Sequence, residues 1–207
     1  MPARIVPFGE GALLVELEQR IDPDTAARAA AIADRWEALG HGPAVPTYAS
    51  VLLRYEPLTL DARDAEAAAA RIADTPAAHP RSRSIEIPTR YDGPDLEDVA
   101  RQSGLSVPEV VEAHTSREHT AYFLGFIPGF AYCGGLDPRI VAPRLRSPRT
   151  RVPAGSVAVA DGQTAVYPAA SPGGWRLIGT TDIVVFDARR EPPSLISPGD
   201  RVRFVPR

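Results

Sequence analysis

The chain of 207 residues contains no lysine; all 23 of its basic residues are arginine. That absence excludes a biotinyl-lysine, a Schiff-base lysine and the lysine of a G-x-x-x-x-G-K-[ST] phosphate loop. The single cysteine, Cys133, excludes an internal disulfide and a cysteine-rich zinc site. The histidines at 41, 79, 114 and 119 show no metal-ligand spacing, so no metal site is expected. No G-x-S-x-G elbow is present. No apolar run reaches the ~18 residues of a membrane-spanning helix. The opening MPARIVPFGEGALLVELE lacks a basic leader and a long apolar block, so a cytoplasmic protein is expected. The net charge of -3 gives no general attraction to nucleic acid or anionic lipid.

What is present reads as two α+β parts. GALLVELE, Gly11–Glu18, and TYASVLLRYEP, Thr47–Pro57, are strand-like. Asp22–Gly40 and the alanine-rich Asp61–Asp74 are helical, each with an aspartate at its start. With ARIVPF as an extra strand, residues 1–80 suggest a small ferredoxin-like α/β domain. Thr75–Ser84 has two prolines and no large apolar residue, so a domain boundary is expected there.

Residues 83–207 open with a strand, Ile85–Tyr91, and two short helices, Asp95–Gly104 and Ser106–Ser116. Ser106 and Glu109 have capping-box spacing. The helical pair scans like a helix-turn-helix, but its second helix has two glutamates and no arginine. A recognition helix needs donors and cations, so a helical pair packed on the barrel is the better reading. Beyond residue 119, short β-like runs alternate with Gly and Pro at the spacing of a barrel or sandwich.

Three stretches are candidates for function. GFIPGFAY joins permissive Gly125 and Gly129 to Phe126, Pro128, Phe130 and Tyr132, which either line a pocket or plug a core. SPGGW offers Gly173 and Gly174 as an anion-binding backbone nest ahead of Trp175, or else a tight turn. Arg139, Arg144, Arg146, Arg149 and Arg151 form a basic run with no acidic residue between Asp137 and Asp161. Such forks suit carboxylate or phosphate, although a solvated loop explains them equally well. Cys133 with His119 suggests a nucleophile pair, but a lone cysteine among aromatics is more often a buried small hydrophobe.

GFIPGFAYCGGL, APRLRSPRTRVPAGSVAVADGQTAVYP, SPGGWRLIGTT and SPGDRVRFVP together resemble the family that contains the B-type subunit of bacterial 5-oxoprolinase. The same family is also called allophanate hydrolase subunit 1 and includes an inhibitor of a sporulation histidine kinase. The resemblance covers essentially the whole chain. It implies an N-terminal α/β domain followed by a cyclophilin-like β-barrel. It implies a larger partner subunit with a second such barrel, and a third 5-oxoprolinase subunit. The implied activity is ATP-coupled opening of 5-oxoproline to L-glutamate, with this chain inactive alone. Without a lysine, contacts to ATP phosphates here would come from arginine or backbone amides. The resemblance leaves open a urea- or allophanate-processing enzyme and a non-catalytic kinase inhibitor. Under it, Phe126, Pro128, Phe130, Tyr132 and Trp175 line a pocket or subunit seam. Arg149, Arg151, Gly173 and Gly174 then hold anionic groups. Ala131 and Cys133 stand where the family pattern usually has proline and leucine, which weakens any catalytic role for Cys133.

Overall fold

The computed structural model describes residues 3–20, 22–77 and 82–207. Residues 78–81 of the expected boundary, with His79, lie outside them. The chain divides into two compact units, Met1–Arg81 and Ser82–Arg207.

The first unit runs β1 (Arg4–Pro7), β2 (Ala12–Glu16), α1 (Pro23–Ala38), β3 (Ala44–Pro46), β4 (Ser50–Arg54), α2 (Ala62–Ile72). Its sheet order is β1-β2-β4-β3, with every pair antiparallel. Asp22 caps α1 by accepting from the Asp24 and Thr25 amides, and Asp61 caps α2 through the Asp64 amide. Alternate residues Leu13, Val15, Val51 and Leu53 point to the helices, where Ile32, Trp36 and small alanines such as Ala65, Ala68 and Ala69 complete the core. Trp36 is fully buried and donates its indole N–H to the Arg54 carbonyl at 2.9 Å. The three-residue β3 was not expected from sequence. It ends at Pro46, which an edge strand tolerates.

The second unit begins with β5 (Ser84–Thr89), α3 (Leu96–Ser103), α4 (Val107–Thr115), β6 (His119–Leu124) and β7 (Ala131–Gly134). It continues with β8 (Arg149–Val152), β9 (Ser156–Ala160), β10 (Gln163–Val166), β11 (Ser171–Gly173), β12 (Arg176–Thr180) and β13 (Arg201–Pro206). Seven strands form one sheet in the order β12-β9-β10-β7-β6-β13-β5, and β8 pairs with β11 as a separate ribbon. The capping box of α4 is present, with the Ser106 amide donating to Glu109 at 2.7 Å. Val99 and Ala100 of α3 and Val110 and Ala113 of α4 share a core with Ile87 and Phe204 of the sheet, so the helical pair packs on it.

The sheet curls until its outer strands meet. Arg90 and Thr180 exchange two backbone hydrogen bonds of 2.8 Å, joining the end of β5 to β12. The seam continues as the Gly93 amide donates to the Ile178 carbonyl and the Asp95 amide to the Leu177 carbonyl. A nearly closed, barrel-like wall results. Two glycines permit this approach. A Cβ on Gly93 would stand 2.3 Å from the Leu177 carbonyl oxygen, and one on Gly179 would stand 2.4 Å from that of Arg90.

Both faces of the central strands are covered. Along β9, Val157 and Val159 enter the core shared with the helices, while Ala158 and Ala160 face Phe130, Tyr167 and Trp175. This explains why SVAVA reads as a continuous apolar run rather than as an alternation.

A histidine network lies in the helix-side core. His114 and His119 are both fully buried. The Thr164 hydroxyl donates to the Ala158 carbonyl at 3.1 Å, so it must accept from Nε2–H of His114 at 2.8 Å. Nδ1 of His114 then accepts from the Tyr91 hydroxyl at 2.7 Å. Burial holds His114 well below its ordinary pKa and, with it, lowers His119.

Above the unfolded histidine pKa of ~6.5, both states are neutral and pH has no leverage through these groups. Below it, the unfolded chain gains protons that the folded chain refuses, so stability falls as pH falls. Each histidine contributes a slope of at most ~1.4 kcal/mol per pH unit. Urea unfolding is therefore expected to show a drop of about 1–2 kcal/mol between pH 6.5 and 5.5, and His114→Phe to reduce it by roughly half, leaving the share of His119. Substituting the seam glycine, Gly179→Ala, is expected to destabilise by about 1–3 kcal/mol or more in the same assay, because backbone must move to admit the methyl group.

Candidate functional site

The turn between β6 and β7 is built by its glycines. The Gly125 amide donates to the Phe130 carbonyl and the Phe130 amide to that of Ile127, folding residues 125–130 tightly. Gly129 takes a φ of +79° and packs so closely on Phe186 that a Cβ there would lie 2.5 Å from the Phe186 Cβ. Phe126 is itself held at φ +70°, uncommon for a bulky residue, and its side chain is left exposed. The Leu124–Gly129 turn, Phe186 and Ser194 line an open cleft of about 420 Å³.

Behind the cleft the aromatic residues interlock. Phe130 is 1% exposed, with ring centroids 5.0 Å from Tyr132, 5.2 Å from Tyr167 and 5.5 Å from Trp175. Each such edge-to-face pair adds roughly 0.5–1.5 kcal/mol beyond burial. Phe126 connects the cleft to this cluster, its ring centred 5.5 Å from that of Phe130. The Arg144 guanidinium lies over the Trp175 ring at 5.8 Å. The expected aromatic set therefore divides. Phe130 and Trp175 are core, Tyr132 is half-buried, and Phe126 and Pro128 face the cleft.

The glycine pair is not a turn. Gly173 belongs to β11, opposite Arg149, and neither Gly173 nor Gly174 has the positive φ of a backbone nest. Their smallness serves close packing instead: a Cβ on Gly173 would lie 2.2 Å from the Tyr167 hydroxyl oxygen. The Gly174 carbonyl accepts from the Leu145 amide at 2.7 Å.

The arginine run is not a uniform basic patch either, because aspartates pair with three of its members. Arg139 grips Asp137 through two side-chain hydrogen bonds of 3.1 and 3.0 Å. Arg144 donates to Asp161 at 3.0 Å. Arg146 and Arg151 are exposed. Arg149 is half-buried and donates Nη2–H to Oδ1 of Asp95 at 2.7 Å. Asp95 precedes α3 but makes no capping bond. Its Oδ2 accepts from the Leu177 amide at 2.7 Å, so the carboxylate joins seam, helix and ribbon. Asp95 was invisible to motif reading because an aspartate before a helix looks like an ordinary cap.

Cys133 is buried in the helix-side core, and burial pushes its thiol up to about 12. His119 spends Nε2 on the His114 carbonyl at 3.0 Å. Neither suits a nucleophile pair, since the thiolate is the reactive form. Ellman's reagent is expected to leave Cys133 unmodified in the native protein and to titrate one thiol in urea. Rapid native labelling would contradict this burial.

With this geometry defined, comparison with known proteins gives consistent results. The family described as carboxyltransferase domain, subdomain C and D, matches residues 3–196. The B-type 5-oxoprolinase subunit of Escherichia coli O157:H7 is 43% identical over 99% of this chain and 96% of its own length. The crystal structure of TTHA0988 superposes with a TM-score of 0.83 at 38% identity, over 95% of this chain. This chain spans only 40% of that one. The urea amidolyase of K. lactis shares the fold alone, with a TM-score of 0.78 at 19% identity over 99% of this chain and 15% of its own. The chain belongs to the carboxyltransferase C and D domain family and, within it, to the family of B-type 5-oxoprolinase subunits.

Proposed function

We propose that this chain is one subunit of an ATP-dependent complex that opens the lactam of 5-oxoproline to L-glutamate. The observation that carries the reading is the 43% identity with a B-type 5-oxoprolinase subunit across almost the full length of both chains. The partners are a larger subunit with a second cyclophilin-like barrel and a third subunit. On this reading the seven-stranded wall is itself cyclophilin-like. The β-β-α-β-β-α order of the first unit, with sheet order β1-β2-β4-β3, supports a ferredoxin-like sheet whose last strand has moved to the front.

A lactam amide is a poor electrophile, and the complex activates its oxygen by phosphorylation. This chain contributes binding surface rather than a nucleophile, consistent with its buried Cys133, His114 and His119. Phe126 and Pro128 present an apolar edge to substrate or to the partner barrel. Phe130, Tyr132 and Trp175 hold that edge rigid. Arg149 and Arg151, beside Gly173 and Gly174, attract the anionic groups of 5-oxoproline and ATP.

The test is to co-express the chain with its two partner subunits and follow 5-oxoproline-dependent ATP hydrolysis together with glutamate release. Both are expected, and both are expected to vanish when this chain is omitted. Activity that persists without the chain would overturn the reading. A stable complex active only toward urea or allophanate would replace it with a urea-processing function.

A further inference from the structure

Among the described residues, Nη1 of Arg149 and Oγ of Ser171 are buried without any hydrogen-bond partner in the chain. Both belong to the β8–β11 ribbon, where Arg149 lies opposite Gly173 and Ser171 opposite Val152. β11 is bulged between Ser171 and Gly173, so the faces follow from the cross-strand partners: Ser171 lies opposite Val152, which packs in one core with Tyr167. Arg149, directly across from Gly173, leaves from that face too. The Tyr167 hydroxyl reaches the same face, as the 2.2 Å approach to a Cβ on Gly173 records. Burial keeps that hydroxyl protonated, so it can donate.

Asp95 makes this arrangement directional. It takes Nη2 of Arg149 and leaves Nη1 unused. An arginine N–H has no acceptor capacity, so an orphaned one calls for an acceptor, and its charge favours an anion. The hydroxyls of Ser171 and Tyr167 supply further donors. Arg144 lies above the Trp175 ring at 5.8 Å and is paired with Asp161. Arg151 carries the same charge but, two positions along the strand from Arg149, is exposed.

We propose that Arg149 Nη1, Ser171 Oγ and the Tyr167 hydroxyl form a binding site for one small oxyanion, the carboxylate or phosphate group of a ligand, with Asp95 as the positioning residue. The proposal rests on the same site as the functional reading, but its existence does not depend on lactamase activity.

The full chain is titrated by calorimetry at constant ionic strength, separately with 5-oxoproline and with inorganic phosphate. Saturable one-site binding of at least one probe is expected. Arg149→Gln should weaken it by about 10-fold or more, and Ser171→Ala by roughly 3–10-fold, as charged and neutral hydrogen bonds differ. Arg203→Gln, an exposed charge loss on β13, should change affinity less than about 2-fold, as expected for a distant screened charge. Ser171→Ala removes one atom and decides the matter if Arg149→Gln does not fold. Saturation by 5-oxoproline assigns the site to a substrate carboxylate, and saturation by phosphate assigns it to a nucleotide. No saturable binding of either probe, or wild-type affinity in both Arg149→Gln and Ser171→Ala, would overturn the proposal. Binding lost in these variants, in a chain whose complex shows no lactamase activity, would retain the site and discard the functional reading.

Discussion

The structure of the second unit depends on one line of backbone contact, the seam between residues 90–95 and β12. A seven-stranded sheet with two free edges would expose unpaired amides and carbonyls at both. Here the paired bonds of Arg90 with Thr180, extended by Gly93 and Asp95, join those edges. The chains approach so closely that neither Gly93 nor Gly179 has room for a methyl group. Closure therefore relies on glycine, at positions where no other residue fits without moving backbone.

Much follows from that seam. Because the wall closes, β9 and β10 are covered on both faces, one by the helical pair and one by the aromatic cluster. The Asp95 carboxylate at the seam's end accepts the Leu177 amide with one oxygen and Arg149 with the other. One residue thus fixes a strand, starts a helix and aims a guanidinium. The aromatic cluster in turn backs the Phe126 turn and keeps its strained backbone in place. The exposed ring and the open cleft rest on this cluster, while the seam's carboxylate holds the arginine.

Much of this was legible in the sequence. Aspartate caps, alanine periodicity and the Ser106–Glu109 spacing located the helices, because these signals are local. Gly- and Pro-punctuated runs marked the β-rich half for the same reason. The three-residue β3 was not legible, since so short an edge strand has no periodicity to detect. The arginine run misled because the counter-charge of Arg149 is remote in sequence. Asp95 lies 54 residues from Arg149, and no window around the run contains it. The Gly173–Gly174 pair looked like a turn because glycine reports permissiveness without naming its use; here it clears space for the Tyr167 hydroxyl. Phe186, which lines the cleft, lies in the β-like run DIVVFD, which forms only a single bridge, to Ser194. Tertiary pairing decides each of these, and local pattern does not encode it.

Native-state amide hydrogen exchange at Arg90, Leu177 and Thr180 tests the central claim most directly. If the seam is the constraint on which the unit depends, these amides open only when the whole unit unfolds. Their exchange free energy then equals the unfolding free energy measured in urea, as do those of β9 and β10. Seam amides that exchange through a low-energy local opening, while β9 and β10 remain fully protected, would contradict it.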